Sequence, residues 1–276
     1  MTLEVELIRN VTPSFGHSID VGRVRSNNQD ALVACAMVVR DHGDNATNFG
    51  LFAVADGMGG HIDGEKASAQ VASTITEQVL SKIYLPLLQQ EPGATDWMEE
   101  VDDRLPIADV LSDALRSANT TIISKIPNSG TTATLCVLVG NTLHLAHIGD
   151  SRAYLISEGG IEQITRDHSL AQRLFEVGQL TREEMGSFPR RNELYKVLGF
   201  TEDIEPDVGS RRLTPGTYLL ICSDGLWGEV PDPLIEDVVL SAATPQAACD
   251  RLVALANERG GHDNISVVIV QMPRVA

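Results

Sequence analysis

The stretch FAVADGMGGH, Phe52–His61, decides the fold and raises a chemical question. An apolar run, GLFAVAD in full, ends in Asp56, and the next four residues are three glycines and a methionine. Consecutive apolar residues of this length are typical of a strand covered on both faces. A carboxylate at its end, beside backbone with few side chains, has a plain reading as a surface turn. It equally suits a small cation that needs both the carboxylate and the bare backbone.

Four more aspartates stand at the ends of predicted strands, namely Asp30, Asp150, Asp224 and Asp263. A turn or a helix cap explains any one of them taken alone. If the five converge, neighbouring carboxylates about 4 Å apart repel by roughly 4 kcal/mol at an effective dielectric constant near 20. Such a cluster must take up protons or bind cations. Oxygen ligands favour Mg²⁺ or Mn²⁺, and no His/Cys spacing of the zinc type competes.

A pair of such ions suits the hydrolysis of phosphate esters, because two metals bridge a water, lower its pKa and stabilise charge on the phosphoryl oxygens. We expect Asp56 to hold that bridging water and Gly57 to offer its carbonyl, since a larger residue would crowd the ion. Arg25, five residues before Asp30, is the candidate for binding the remaining phosphate oxygens through its guanidinium fork. Without the surrounding pattern, Arg25 reads equally well as a solvated surface charge.

Composition excludes several classes of protein. The chain has 276 residues, 43% of them hydrophobic, and a formal net charge of -17 from 38 acidic and 21 basic residues. No basic run offers a footprint for nucleic acid, and the negative field repels anionic membranes at long range. No signal peptide or membrane-length apolar run is evident, and the four cysteines show no CxxC spacing. These features predict a cytoplasmic protein with reduced thiols.

The order of apolar runs predicts an α+β fold with antiparallel sheets. Gly140-Asn141 and the segment SEGG before IEQI indicate two hairpins. Helical faces recur in three blocks, the last of which begins with Thr244 as cap and Pro245 at the first helical position. We expect an acidic surface loop near 86–106 and a flap of short helices near 168–198. Arg190 and Arg191 in the flap either attract phosphorylated peptide or are ordinary solvated charges.

Seven motifs in order give the chain a specific resemblance. They are DVGRVRSNNQDA (20–31), VADGMGGHIDGEKAS (54–68), SGTTAT (129–134), HIGDSRAYL (147–155), DHSLAQRL (167–174), CSDGLW (222–227) and GGHDNIS (260–266). Together they resemble the metal-dependent type-2C protein serine/threonine phosphatases, particularly the bacterial branch. The resemblance implies one catalytic domain over 1–276. Its implied fold is a four-layer α-β-β-α sandwich, with two central antiparallel sheets flanked by helix pairs.

The resemblance also implies roles for individual residues. Its side-chain ligands to two tightly bound Mn²⁺ or Mg²⁺ ions correspond to Asp30, Asp56, Asp224 and Asp263. Gly57 matches the residue that contributes a carbonyl, and Arg25 matches the arginine that binds phosphate. A weaker third ion is implied at Asp150 and Asp224.

Three other positions qualify the resemblance. Asn264 follows the last ligand and is expected to orient its loop. Gln29 stands where many members have Glu, so it can hydrogen-bond a water but adds no charge. Met58 stands where eukaryotic members have a histidine proposed as general acid, and nearby His61 reads as a loop residue rather than its substitute.

The leading hypothesis is therefore hydrolysis of phosphoserine and phosphothreonine in proteins, opposing a bacterial serine/threonine kinase, by a monomer. One alternative is a catalytically weak phosphatase-like domain used for sensing or scaffolding. It is less favoured because all the metal aspartates are present. Another alternative is a hydrolase of small phosphate esters.

Overall fold

The computed structural model describes residues 12–40, 46–58, 63–88 and 107–273. Within them, the strands are β1 Ser14–Asp20, β2 Asp30–Arg40, β3 Ala46–Met58, β4 Gly130–Thr131, β5 Ala133–Val139, β6 Thr142–Ile148, β7 Arg152–Ser157, β8 Gly160–Gln163, β9 Asp207–Arg212, β10 Tyr218–Cys222 and β11 Ile265–Gln271. The helices are α1 Gly64–Val79, α2 Leu85–Leu88, α3 Ile107–Lys125, α4 Leu170–Glu176, α5 Arg182–Ser187, α6 Asp224–Trp227, α7 Asp232–Ser241 and α8 Pro245–Glu258. A π-helical turn, Leu80–Tyr84, joins α1 to α2.

The strands form two antiparallel sheets. One has the order β1-β11-β10-β7-β8, and the other the order β2-β3-β5-β6-β9, with β4 paired to β3. In β3, Phe52 and Val54 belong to the apolar layer between the sheets, whereas Leu51 and Ala53 belong to the layer shared with α1 and α3. A third apolar layer joins the other sheet to α7 and α8. The predicted sandwich of two helix-covered antiparallel sheets is confirmed.

The helices cover the sheets with the faces that their sequences predict. Val71, Ile75 and Val79 of α1 are buried, as are Leu115, Ala118 and Ile122 of α3. Their spacing of three or four residues places each set on one side of its helix.

The start of α8 is also as predicted. The Thr244 side chain accepts a hydrogen bond from the Ala247 amide, and Pro245 occupies the first turn. The cap satisfies an amide that lacks a partner within the helix.

One boundary differs from the expectation. The segment near 86–106 was expected to be loop, but α2 continues the helix to Leu88 because Leu87 is buried in the layer beneath α1 and α3. The rest of that segment, 89–106, lies outside the described residues, as does His61.

The two predicted hairpins are present, and they join β5 to β6 and β7 to β8. No helix in the described parts of the chain has the length and apolar character needed to cross a membrane.

Candidate metal centre

The five predicted aspartates lie at strand ends on one side of the sandwich. Asp30, the first residue of β2, is paired with Asp56 across the β2–β3 ladder. Asp150 follows β6 by two residues, and Asp224 begins α6 just after β10. Asp263 stands two residues before β11. Both sheets therefore deliver carboxylates to the same region.

The electrostatics of these carboxylates show that they face one another. Burial raises the pKa of Asp30 to about 6, and the Asp263 charge adds to the rise. Burial also raises the pKa of Asp224 to about 7, followed by repulsion from Asp263 and Asp30. The pKa of Asp56 lies well above its usual range, through burial first and then the charges of the other four. A proton or a bound cation relieves this mutual repulsion.

A buried hydroxyl joins the two sheets at the centre. Ser223, next to Asp224, donates to Asp30 Oδ2 over 2.8 Å and accepts from the Ser266 amide at 2.9 Å. Ser223 is fully buried, so no water competes for these bonds. It therefore fixes the Asp30 carboxylate relative to the strand end that carries Asp224.

Two threonines hold the backbone of Asp56. Its amide donates to Thr132 Oγ1 at 3.0 Å, and its carbonyl accepts from Thr131 Oγ1 at 2.8 Å and from the Thr132 amide at 2.9 Å. Thr132 Oγ1 in turn lies 2.7 Å from Ser151 Oγ, beside Asp150. Both threonines thus bond to the backbone of Asp56, which lies far from them in the chain. Through Ser151, they also connect Asp56 to the Asp150 loop.

Gly57 sits where no side chain fits. A Cβ at this position would collide with the carbonyl oxygens of Gly64 and Gln29. The Gly57 amide donates to the Gln29 carbonyl at 3.1 Å, and Ser68 Oγ donates to the same oxygen at 2.6 Å. The side-chain amide of Gln29 lies against Gly64, at the start of α1.

The loop before β11 is ordered by Asn264. Its Oδ1 accepts from the Gln29 amide at 2.8 Å, and its Nδ2 donates to the carbonyls of Val21 and Asn27, each at 2.9 Å. These bonds fix the approach of the β1–β2 loop to Asp263. Within that loop, Arg25 Nη2 donates to Asp263 Oδ2 at 2.6 Å, and about half of the Arg25 side chain is exposed. The arginine thus lies at the rim of the cluster, with its guanidinium against one of the carboxylates.

The donor set fits hard divalent cations. Asp30 Oδ1 and Asp224 Oδ1 are buried and lack a hydrogen-bond partner, which is costly unless something else binds them. Among the described residues, no three His, Cys, Asp or Glu side chains could by themselves hold one ion. Each ion would therefore need ligands other than side chains, such as a carbonyl and waters, as is usual for Mg²⁺. The cradle around Gly57 is consistent with that requirement.

Comparison with known proteins identifies the family. The family model "Protein phosphatase 2C" matches residues 17–177. The chain belongs to the protein phosphatase 2C family. The predictions of the family and of the enzyme class, a metal-dependent protein serine/threonine phosphatase, are confirmed.

Individual relatives extend over nearly the whole chain. It is 34% identical to a putative 2C-type protein phosphatase of Streptococcus pyogenes, over 91% of this chain and 94% of the relative. It is 35% identical to the serine/threonine protein phosphatase PstP of Mycobacterium tuberculosis, over 92% of this chain but 44% of that longer protein. The crystal structure of a PstP catalytic domain in complex with two manganese ions superposes with a TM-score of 0.73. That superposition has 31% identity and covers 95% of this chain and 98% of the other.

Sequence reasoning missed the hydroxyl groups that organise the centre. Ser223 and Ser151 each stand next to a predicted ligand, in CSDG and GDSR, and that adjacency was the available signal. A single Ser or Thr bonds to nearby backbone so often that neither position could be distinguished by type alone.

The charges of the predicted flap are engaged locally. Arg190 forms an ion pair with Glu193 at 2.6 Å, and Arg191 Nη1 donates to the Gly186 carbonyl at 2.5 Å. His262, adjacent to Asp263, is exposed and lies 2.6 Å from Glu229. These contacts favour structural interpretations of all three residues over direct contact with phosphate.

Proposed function

We propose that this chain hydrolyses phosphoserine and phosphothreonine in proteins with two Mn²⁺ or Mg²⁺ ions bound at the five-aspartate cluster. The ions would be held by Asp30, Asp56, Asp224 and Asp263 together with the Gly57 carbonyl. The observation that carries the proposal is the burial of mutually repelling carboxylates with two oxygens left unpartnered. A phosphorylated side chain carries nearly two negative charges, which suits a centre neutralised by divalent ions.

When bound, the ions would supply an activated water and positive charge facing the phosphoryl oxygens. The residues of the chain position this chemistry. The clamp of Thr131 and Thr132 fixes Asp56, whose carboxylate we assign to the bridging water, and Ser223 fixes Asp30. Holding the ligands rigidly lowers the cost of reorganisation during the reaction.

Arg25 is assigned to the phosphate. Its guanidinium lies beside Asp263 and is half exposed, so it can reach a phosphoryl oxygen at the rim while remaining near the cluster. The five N–H donors of Arg allow it to bind a carboxylate and a phosphate together. Met58 has no titratable group and cannot act as a general acid, so we assign protonation of the leaving serine or threonine oxygen to water.

Several finer assignments follow from the same account. Asp150, whose pKa is raised by burial and then by the charge of Asp224, is proposed to share a third, weaker ion with it. We further propose one catalytic domain over 1–276, a monomer, and opposition to a serine/threonine kinase, since such kinases generate its substrate. All four cysteines are free thiols, which supports a reducing, cytoplasmic compartment.

The direct test removes a proposed ligand without changing its size. Asp56→Asn and, separately, Asp263→Asn should abolish hydrolysis of p-nitrophenyl phosphate and phosphopeptide in Mn²⁺, while the protein stays folded by circular dichroism. Asp237→Asn, at an exposed position in α7, is the matched control and should retain full activity. Turnover at the wild-type rate in Asp56→Asn would contradict the metal assignment.

A second test concerns Arg25. Arg25→Ala should raise KM for a phosphopeptide by about tenfold and change kcat less, since its contact with the phosphate forms on binding. Steady-state kinetics at saturating Mn²⁺ measure this split. An unchanged KM would remove Arg25 from the phosphate site.

The two alternatives make different predictions for the wild-type protein. A sensing or scaffolding domain would bind phosphopeptide without Mn²⁺-dependent turnover. A hydrolase of small esters would favour sugar phosphates or nucleotides over phosphopeptides in kcat/KM. The complete set of carboxylates supports the enzyme over the binding module.

A further inference from the structure

We propose that Arg152 is a positioning residue, which fixes Asp150 within the carboxylate cluster and connects it to the start of the flap. This proposal rests on the proposed function, because it takes the cluster to be the metal centre. The ion-binding assignments give no role to Arg152 or to the nearby motif DHSLAQRL.

Arg152 is a buried charge, and each of its three guanidinium nitrogens has a hydrogen-bond partner. Its Nε lies 3.0 Å from Asp167 Oδ1, its Nη2 lies 2.7 Å from Asp167 Oδ2, and its Nη1 donates to Tyr154 Oη at 3.1 Å. The Arg152 side chain is 16% exposed and that of Asp167 is 4% exposed. Such an arrangement holds the guanidinium in one orientation, since any rotation would leave a buried charge unpaired.

The flat face of this guanidinium also makes a contact, with Trp227. Its central carbon stands 3.7 Å from the centre of the Trp227 ring, in a cation–π stack. The Trp227 indole Nε1 then donates to the Asp150 carbonyl at 3.0 Å. A continuous path of contacts therefore runs from Asp167 through Arg152 and Trp227 to the backbone of Asp150.

A second set of bonds joins the same two loops. The His168 amide donates to the Gly149 carbonyl at 2.7 Å, and the Gly149 amide donates to His168 Nδ1 at 3.0 Å. Gly149 has φ of 108°, and a Cβ there would collide with Thr132, the residue that holds Asp56. The loop bearing Asp150 is thus fixed from the flap side by Asp167 and His168 and from the cluster side by Thr132.

Asp150 depends on this support because of its surroundings. It is buried, and the Asp224 charge repels it. Without fixed backbone, its carboxylate would turn away from the cluster rather than face the other carboxylates. The forked N–H donors of Arg152 bind Asp167, and its flat face stacks on Trp227. A lysine side chain has neither feature. The charge alone is therefore insufficient for this role.

The test uses two conservative variants and a control. Arg152→Lys keeps the charge but loses the fork and the stacking plane, and Trp227→Phe keeps the stacking face but loses the N–H to Asp150. Arg211→Lys makes the same exchange at an exposed arginine paired with Glu162 and serves as the matched control. Mn²⁺ binding is measured by titration calorimetry, and the Mn²⁺ concentration for half-maximal hydrolysis is measured separately.

Each variant should raise that Mn²⁺ concentration by about tenfold, the usual effect of losing a group that orients a metal ligand. Calorimetry should show correspondingly weaker Mn²⁺ binding, and KM for phosphopeptide at saturating Mn²⁺ should stay near its wild-type value. The double variant should show about the same tenfold effect as either single one, because both act on the same path. Arg211→Lys should behave as wild type.

An unchanged Mn²⁺ response in folded Trp227→Phe would overturn the proposal, whether or not Arg152→Lys folds. Effects that multiply in the double variant would also overturn it, since they would place the two residues on separate paths. Failure of the wild-type protein to bind Mn²⁺ or to hydrolyse phosphopeptide would instead refute the proposed function.

Discussion

At the scale of single residues, buried hydroxyl groups hold the aspartates of the centre in place. Asp30 begins a strand of one sheet, and Asp224 follows a strand of the other. Ser223, next to Asp224, donates a hydrogen bond to Asp30 and so sets the position of one aspartate relative to the other. Its burial makes the bond strong, because a carboxylate acceptor in a dry site gains more from a donor than one in water.

Ser223→Ala removes this donor and leaves Asp30 Oδ2 without its bond. We expect a rise of about tenfold or more in the Mn²⁺ concentration needed for activity, in line with losing a group that orients a metal ligand. We also expect a loss of about 1–3 kcal/mol in the free energy of unfolding of the metal-free protein. Titration of activity with Mn²⁺ and urea denaturation measure the two effects.

Ser241→Ala, at an exposed position at the end of α7, makes the same change without a carboxylate partner and should alter neither quantity. A Ser223→Ala protein with unchanged Mn²⁺ dependence would show that Ser223 does not position Asp30.

The aspartates were identifiable from sequence because each interrupts an apolar run at a strand end, and five such interruptions form a pattern. The hydroxyls were not, because their partners come from segments far apart in the chain. Thr132 reaches Asp56 across 76 positions, and Ser223 reaches Asp30 across 193. Nothing local in SGTTAT or CSDG specifies those contacts.

At the scale of elements, β6 carries a buried histidine that links it to the segment before the flap. His147 lies between Thr134 Oγ1, 2.9 Å from Nδ1, and the Arg166 carbonyl, 3.1 Å from Nε2. A carbonyl only accepts, so the neutral ring carries its proton on Nε2. Burial, followed by the charge of the neighbouring His168, lowers the pKa of His147 to about 3.

This predicts acid lability with a definite sign. An unfolded histidine has a pKa near 6.5, so below that pH the unfolded state binds a proton at this position. Folded His147 stays neutral until the pH falls to about 3. The contribution of neutral His147 to the free energy of unfolding is complete above pH 6.5 and is lost as the pH falls from there towards 3. At pH 5, the free energy of unfolding is lower by about 2 kcal/mol for this reason.

His147→Gln, which cannot titrate, should reduce the loss of stability between pH 7 and pH 5 by about that amount, as measured by urea denaturation at both values. His17→Gln, at an exposed position in β1, is the control and leaves the buried ring in place. An equal pH dependence in wild type and His147→Gln would contradict this account.

Elements with strong apolar patterns were predicted well, whereas polar edge strands were not. β5, β10 and the central part of β3 are buried on both faces and consist almost entirely of apolar residues. β9 has the sequence DVGSRR and is mostly exposed, so neither composition nor alternation marks it as a strand. Its pairing with β6, rather than its own sequence, makes it one.

At the scale of the whole molecule, the centre exists only when the sandwich is assembled. Asp30 and Asp56 come from one sheet, and Asp224 and Asp263 flank strands of the other. The apolar layer between the sheets, with Phe52 stacked edge-on against Phe15, holds the two halves together. Burial of that layer offsets the repulsion among the carboxylates.

The overall charge fits this arrangement. With a net charge of -17, the molecule repels phosphorylated substrates at long range, so their capture must be local. Divalent ions at the cluster and Arg25 at its rim would provide that local positive charge. The composition of the sequence predicts that substrates must be captured locally, and the pairing of the strands brings the aspartates and Arg25 together where this can occur.

The most direct test of the central claim is anomalous scattering from crystals of the protein grown with Mn²⁺. We expect two strong peaks about 3.5–4 Å apart, as in other two-metal sites, bounded by Asp30, Asp56, Asp224 and Asp263. The Gly57 carbonyl should face one of them. Crystals that show no manganese at this position, or show it bound only elsewhere on the surface, would contradict the claim.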